Sequence, residues 1–219
     1  MEWLELARQA LPVLIKGTGY TVFFALSTMV LGLLLGFVVA LVRIARVPLL
    51  APLLAFYVSV MRGTPLLVQI FVIYYGLPSV GIEFEPVTAG VLSLTLNVAA
   101  YLSESLRGAI AGVERGQWDA AQSLGLNWWQ AMRFVVAPQA LRLAVPSLAN
   151  SLISLIKDTS LVSVITVSEL MMATKDVIAQ TFQPLPLYLM AAAIYWALSA
   201  LFEQVQKRLE LRLAHAYRR

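Results

Sequence analysis

The sequence of 219 residues contains no cysteine and a single histidine, and only 13% of its residues are charged. Without cysteine the chain has neither a disulfide framework nor a thiolate metal site. One histidine, and acidic residues without metal-ligand spacing, leave no cluster for a metal centre or a catalytic relay. These absences argue against an enzyme, and we predict no metal site and no catalytic residue in this chain.

Apolar residues make up 60% of the chain. A typical soluble domain is about 45–50% apolar and about 25% charged. So many apolar side chains cannot all be buried in a soluble core of this size, whereas a lipid bilayer can solvate them on the surface of spanning helices. The composition therefore predicts an all-α membrane protein.

Five segments have the length and composition of membrane-spanning helices, which need about 20 mainly apolar residues. They are residues 17–42, 53–77, 86–103, 146–167 and 184–202. The second joins two short apolar runs through Arg62, Gly63, Thr64 and Pro65, so we predict one span that is broken near its middle. Outside this domain of residues 17–206, residues 1–16 are predicted to form an interfacial amphipathic helix, with a poorly ordered terminus as the alternative. Residues 207–219 form a basic tail.

The distribution of lysine and arginine predicts the orientation, because short cytoplasmic loops carry an excess of these residues. With the N-terminus outside, eleven of them lie on the cytoplasmic side and three lie outside. The eleven are Arg43, Arg46, Arg107, Arg115, Arg133, Arg142, Lys207, Arg208, Arg212, Arg218 and Arg219, and the three are Arg8, Lys16 and Lys175. The net charge of +4 therefore reflects topology and indicates no nucleic-acid partner.

Several polar residues lie inside the predicted spans, where a charge costs about 2.5–3.5 kcal/mol on insertion scales. Arg62 lies beside Pro65 in the broken span, where irregular backbone can line a cavity. The alternative is a packing kink with Arg62 buried against a carboxylate. Asn97, Tyr101 and Glu104 share one helix face by their spacing, and they either line a pathway or hold helices together.

The fourth span carries Lys157 and Asp158, which as sequence neighbours do not face each other on a helix. Each therefore needs a partner elsewhere. Arg62, Glu104, Lys157 and Asp158 together carry no net charge, and our hypothesis is a mutually neutralised network along a substrate path. Such a network suits a ligand that carries both an ammonium and a carboxylate group.

Residues 113–142 connect the third and fourth spans on the predicted cytoplasmic side. Asp119 is predicted near the start of a short helix, where a carboxylate favours the helix dipole, and Gly125 at its end in a left-handed turn. Residues 128–136 can form a second short helix that Pro138 stops. Taken alone, this segment is either an amphipathic element on the membrane or a docking element for a soluble partner.

The residues of this loop resemble the EAA motif of binding-protein-dependent ABC importer permeases. That motif is Glu-Ala-Ala, three residues, Gly, nine residues, a branched apolar residue, one residue and Leu-Pro. The chain has Asp119-Ala120-Ala121, Gly125, Val135 and Ala137-Pro138 at this spacing, with Asp in place of Glu and Ala in place of Leu. Residues 62–69, 97–104 and 154–161 resemble the polar amino-acid branch of the same family.

The resemblance implies a type I ABC importer permease fold with five transmembrane helices, the N-terminus outside and the C-terminus in the cytosol. It implies a multi-pass protein of the bacterial cytoplasmic (inner) membrane that imports a polar amino acid, cystine-like or otherwise glutamine or a basic amino acid. The expected partners are a cytosolic ABC ATPase dimer, an extracytoplasmic amino-acid-binding protein and a second permease copy in a homodimer. The chain lacks a phosphate-binding loop, so ATP and Mg are expected on the ATPase, with no cofactor in this chain.

The candidate site residues form two groups. The expected substrate pathway comprises Arg62, Thr64, Asn97, Tyr101, Glu104, Lys157, Asp158 and Ser160, and the expected ATPase-coupling loop comprises Asp119, Ala120, Ala121, Gly125 and Pro138. Two other classes stay open, namely a secondary amino-acid carrier or channel that uses the same charges, and a non-transporting scaffold. The loop spacing and an odd number of spans without an internal repeat argue against a carrier. The intramembrane charges argue against a scaffold.

Overall fold

The structure, a computed structural model, describes residues 3–215, without the side chains of Leu4, Leu209 and residues 212–215. The described part of the chain is almost entirely helical. Its helices are α1 (Trp3–Ile44), α2 (Leu50–Gly63), α3 (Leu66–Phe71), α4 (Pro86–Ala111), α5 (Arg115–Ser123), α6 (Trp128–Ala131), α7 (Ala137–Asp158), α8 (Leu170–Thr181) and α9 (Pro184–His215). π-Helical turns follow α3 (Val72–Gly76) and α6 (Met132–Val136), and 3₁₀ turns occupy Leu77–Val80 and Thr159–Ile165.

Four stretches of the described chain are long and apolar enough to cross a membrane. They are Glu5–Ile44, Pro86–Ala111, Trp128–Ile165 and Pro184–Arg208. The bent pair formed by α2 and the stretch Leu66–Val80 is the fifth candidate. Each unbroken helix is longer than the span predicted from sequence, because hydropathy marks the apolar part while the backbone hydrogen bonds continue into the flanking polar residues.

The boundary predicted at residue 16 is not a break in the structure, because α1 continues without interruption from Trp3 into the first span. Leu6, Ala10 and Leu14 are buried and pack against α8 and α9. The apolar face of residues 3–16 is therefore buried within the protein, and this packing stabilises the helix N-terminal to the predicted boundary. At the other end, α9 continues to His215 through the first part of the predicted tail, and residues 216–219, including Arg218 and Arg219, lie outside the described residues.

The largest core forms where α1 crosses α4. Gly36 lies directly against α4, and a Cβ atom at this position would stand 2.8 Å from the carbonyl oxygen of Ala99. Gly32 faces Val98 on the same seam, four residues earlier. The two glycines let the backbones approach closely, as small residues do between membrane helices. The buried side chains around this contact include Phe24, Ile70, Leu94, Leu102 and Leu155.

The segment predicted as the second span is broken near its middle as predicted, with an angle of 111° between α2 and the stretch Leu66–Val80. Thr64 and Pro65 form the junction, and both have extended backbone conformations. Pro65 has no N–H with which to continue the hydrogen-bond ladder of α2, and its ring disfavours helical backbone at Thr64. The sequence Thr-Pro therefore explains why α3 turns sharply away from α2.

Pro138 does not stop a helix, so the expectation of a helix ending before it was wrong. α6, the π-helical turn and α7 follow one another without interruption, and Pro138 lies in the first turn of α7. A proline ring normally clashes with the carbonyl four residues earlier, and the wider π-helical turn just before Pro138 relieves this clash. The fourth membrane helix therefore begins at Trp128, within the segment predicted as loop.

A buried polar cluster joins the start of α8 to α1 and α9. Glu169 is fully buried and caps α8 by accepting a hydrogen bond from the N–H of Met172 at 2.9 Å. Its other carboxylate oxygen accepts from the hydroxyls of Tyr195 at 2.6 Å and Thr21 at 3.4 Å. Thr21 in turn accepts from the N–H of Leu170 at 3.1 Å. One carboxylate thus holds three helices together.

Both Glu169→Ala and Glu169→Gln are expected to lower the free energy of unfolding, and the alanine variant is expected to be the less stable of the two. Alanine leaves the buried hydroxyls of Tyr195 and Thr21 without their acceptor, at a cost of about 1–3 kcal/mol for each unsatisfied group. The glutamine oxygen can still accept from Met172, and its amide can donate to the hydroxyl oxygens. Thermal unfolding of the detergent-solubilised protein measures the order, and a glutamine variant as unstable as the alanine variant would contradict it.

The same variants also test a pH dependence. Glu169 lies in the connection between the α7 and α9 spans, and burial raises the pKa of its carboxyl above the ordinary value. The folded state then binds the proton more readily than the unfolded state, so stability falls as the pH rises between the ordinary and the raised pKa. We expect the stability of the Glu169→Gln variant not to show this decrease with rising pH.

Candidate functional site

A cavity of about 840 Å³ opens between the break in the second span, one face of α4 and one face of α7. Its volume lies within the range of small-molecule sites, about 300–1,000 Å³. Arg62, Thr64 and Pro65 line it from the break. The irregular backbone predicted to face a cavity therefore does so.

α4 and α7 each contribute a polar stripe to the cavity. Asn97, Tyr101 and Glu104 line it from α4, which confirms that the three share one face. The residues from α7 repeat at helical spacing and are Ser147, Asn150, Ser151, Ser154 and Asp158. Ser105 and Ser147 join the two helices through hydroxyls 2.7 Å apart.

Glu104 is the centre of an ion cluster beside the cavity. Arg107, one helical turn further along α4, donates to it from Nη2 at 2.8 Å and from Nε at 3.2 Å. Arg43 of α1 donates to the other carboxylate oxygen. Arg62 approaches within 3.8 Å, and its guanidinium carbon stands 5.4 Å from the centre of the Tyr101 ring. Three guanidinium groups thus surround one carboxylate.

Arg107 also lines a second, smaller cavity of about 380 Å³ between the end of α4 and α5. Arg115, Trp118 and Asp119 line this cavity from the α5 side. The ion pair of Glu104 with Arg107 therefore stands between the two cavities.

The structure brings together six of the eight predicted pathway residues, but not Lys157 or Ser160. Neither lines the cavity, and Lys157 is exposed. Asp158 lines the cavity, whereas the side chain of its neighbour Lys157 is turned to the exposed surface. The neutral four-residue network was therefore wrong: among the described residues, Glu104 pairs with Arg62 as predicted and also with Arg43 and Arg107, but neither Lys157 nor Asp158 joins this ion cluster.

Besides the serine and asparagine residues that line the cavity, three residues that bond around it were not predicted from the sequence. Arg43 and Arg107 were treated only as topological charges, although Arg107 follows Glu104 at the three-residue spacing that lets helix side chains meet. The third is Gln69, which is buried behind the break and bonds to Asn97 through its side-chain oxygen at 3.0 Å. Its role had no signal in the sequence beyond its place in the segment 62–69.

The segment 113–142 contains the short helix α5, whose end is as predicted and whose start is not. Gly125 has a left-handed backbone (φ 75°), and its N–H donates to the carbonyl of Gln122 at 2.8 Å. Leu126 donates to the carbonyl of Ala121 at 3.1 Å. This pair of bonds is a Schellman motif. Asp119 is not near the start, because α5 begins four residues earlier at Arg115.

Side-chain contacts hold the helices of this segment together. Asn127 and Gln130 form a reciprocal capping box at the start of α6. The indole rings of Trp118 and Trp128 stack with their centres 6.4 Å apart, which joins α5 to α6. Ala121 is buried, whereas Asp119, Ala120, Gly125 and Pro138 are exposed. The segment is therefore a packed two-helix unit with an exposed face.

The chain is similar to known transport proteins over nearly its whole length. Residues 32–215 match the family described as "Binding-protein-dependent transport system inner membrane component". The chain is 43% identical to the probable amino-acid ABC transporter permease protein YckA of Bacillus subtilis (strain 168), over 96% of this chain and 93% of that protein. It is 40% identical to the L-cystine transport system permease protein TcyB of the same bacterium, over 92% of this chain and 87% of that protein.

A solved structure agrees with these relatives. A chain in the crystal structure of an amino acid ABC transporter with histidines aligns with a TM-score of 0.92 and 33% identity, over 97% of this chain and 99% of that chain. This match confirms the predicted type I importer permease fold. The chain belongs to the inner-membrane components of binding-protein-dependent transport systems, and it is a multi-pass amino-acid ABC transporter permease.

Proposed function

We propose that the cavity beside the broken span is the route of a polar amino acid, and that the amino acid is cystine or a close analogue. The observation that carries this proposal is the presence of both charge signs in the lining of one cavity, with Arg62 from the break, Glu104 from α4 and Asp158 from α7. An amino acid carries a carboxylate that can pair with a guanidinium and an ammonium that can pair with a carboxylate. The alternatives are glutamine and basic amino acids.

Cystine is the preferred substrate because a relative with 40% identity is an L-cystine permease. Cystine carries two amino-acid head groups, and the cavity of about 840 Å³ has room for both. The serine and asparagine side chains of α7 can donate to and accept from such groups along its length.

We further propose that α5 and its flanking residues 113–142 couple this permease to a cytosolic ABC ATPase dimer. Asp119, Ala120, Gly125 and Pro138 are exposed on this unit, so they are available to a partner. In this arrangement ATP and Mg bind to the ATPase, an external binding protein delivers the amino acid, and a second copy of this chain completes the pathway. The N-terminus then lies outside and the C-terminus in the cytosol, as the distribution of lysine and arginine predicts.

Proteoliposomes that contain this chain, its ATPase and its binding protein are expected to take up labelled cystine only when ATP is supplied to the ATPase side. Unlabelled cystine in excess is expected to suppress this uptake more strongly than glutamine or arginine. The measurement is initial uptake of each labelled amino acid with ATP and with a non-hydrolysable analogue.

The outcomes of this experiment separate the alternatives. Stronger competition by glutamine or arginine would support an ATP-driven importer whose substrate is that amino acid rather than cystine. Uptake that proceeds without ATP and follows an ion gradient would identify a secondary carrier, and passive equilibration would identify a channel.

A further inference from the structure

The break in the second span leaves carbonyls in the last turn of α2, among them that of Met61, without their usual helical partners. In a continuous helix the carbonyl of Met61 would accept from the N–H of residue 65, four positions later. Residue 65 is a proline and has no N–H. An unpaired carbonyl at membrane depth costs free energy, and a side-chain donor in place of the missing N–H removes that cost.

The side-chain amide of Gln69 supplies that donor. Its Nε2 atom donates to the carbonyl of Met61 at 2.9 Å and lies 3.1 Å from the carbonyl and 2.9 Å from the hydroxyl of Thr64. The hydroxyl of Thr64 donates onward to the carbonyl of Val60 at 2.8 Å. Gln69 is 7% exposed. One buried amide on α3 therefore bonds to the last turn of α2 and to the junction itself.

Asn97 extends the same network to α4. Its Nδ2 atom donates to the side-chain oxygen of Gln69 at 3.0 Å and to the carbonyl of Met61 at 3.2 Å. The break is thus bonded to helices on both sides. Arg62 directly follows Met61, and it stands over the Tyr101 ring and near Glu104 at the cavity wall. Whatever fixes the Met61 carbonyl also fixes the backbone from which Arg62 projects.

We propose that Gln69 is a positioning residue for transport: its amide holds the broken helix at the angle that places Arg62 in the cavity. Gln69 itself lies outside the cavity lining, so it acts through Arg62 rather than on the amino acid. This inference rests on the proposed amino-acid uptake through the cavity.

A double-mutant cycle in ATP-driven uptake tests the inference. Gln69→Leu keeps the size of the side chain but removes its donors, and we expect uptake to fall about tenfold, in keeping with the loss of a buried hydrogen-bond donor. Uptake by the Arg62→Ala variant is expected to fall at least as far. Because both changes remove the same positioned guanidinium, the double variant is expected to lie within about twofold of Arg62→Ala alone.

Two controls make each outcome decisive. Gln204→Leu makes the same change at an exposed position of α9 and is expected to transport like the unmodified chain. Thermal unfolding of each variant shows whether it folds. The positioning role is wrong if the fold-losses of uptake caused by Gln69→Leu and by Arg62→Ala multiply in the double variant. It is also wrong if the Gln69→Leu variant transports normally. If the unmodified chain shows no amino-acid uptake, the proposed function fails instead.

Discussion

Replacing Gly125 by proline is expected to reduce ATP-driven uptake more than about tenfold while the protein still inserts into the membrane. Gly125 has a φ of 75° and donates its N–H to Gln122. Proline cannot reach a positive φ and has no N–H, and a proline placed against the backbone geometry costs about 3 kcal/mol or more. The Schellman motif that ends α5 would therefore be lost.

The effect on uptake follows from where this motif lies. Gly125 connects α5 to the capping box that begins α6, and we propose that this two-helix unit transmits the motion of the ATPase. A unit whose connection is deformed cannot keep both its packing on α7 and its fit to the partner. Uptake, ATP hydrolysis and copurification of the ATPase with the permease are the measurements, and copurification shows whether docking or a later step is lost.

A graded series separates backbone geometry from the loss of a glycine. Asparagine tolerates the left-handed region and is expected to retain most of the uptake, whereas alanine is strained by about 1–2 kcal/mol and should be intermediate. Gly116→Ala is the matched control, because Gly116 has an ordinary φ and open space at the Cβ position. Uptake by Gly125→Pro equal to that of Gly116→Ala would show that the segment does not couple the permease to ATP.

The helices could be predicted because a charge-free apolar run and a Thr-Pro break are local properties of the sequence. The packing of residues 3–16 could not, since Leu6 and Leu14 are covered by α8 and α9, more than 150 residues further along the chain. The same limit applies to Glu169. Its partners Thr21 and Tyr195 lie on two distant helices, so nothing near residue 169 indicates a buried carboxylate.

In the candidate site too, local sequence predicts some features, whereas others depend on contacts that it does not show. The face with Asn97, Tyr101 and Glu104 follows from helical period alone, and this part is confirmed by the cavity. Charge balance alone suggested Lys157 for the network, and it could not show that this side chain is exposed and does not line the cavity. The role of Gln69 could not be predicted from the sequence, because its acceptors include backbone carbonyls that only the 111° bend brings near it.

Replacing Glu104 by glutamine is expected to lower uptake at least about tenfold. The change keeps the shape of the side chain and removes the one negative charge among Arg43, Arg62 and Arg107. The side chains of Glu104 and Arg43 are 17% exposed, whereas those of Arg62 and Arg107 are 44% and 46% exposed. The loss of stability is therefore expected to lie between that of an exposed pair, about 0.2–1 kcal/mol, and that of a buried pair, about 3–5 kcal/mol. The freed guanidinium groups repel one another, so the wall between the two cavities loses its fixed arrangement.

Glu203→Gln is the matched control, because Glu203 pairs with Lys207 at 2.9 Å on the exposed side of α9. An exposed pair of this kind contributes little to stability because water and salt screen it, so this variant is expected to transport normally. Adding Arg43→Gln to Glu104→Gln removes one of the unpaired positive charges and is expected to recover thermal stability in part. Recovery of stability without recovery of uptake would assign Glu104 to the pathway, since charge balance would then be restored while the carboxylate at the cavity wall is still missing. Uptake by Glu104→Gln equal to that of the Glu203 variant would overturn the role of the ion cluster in transport.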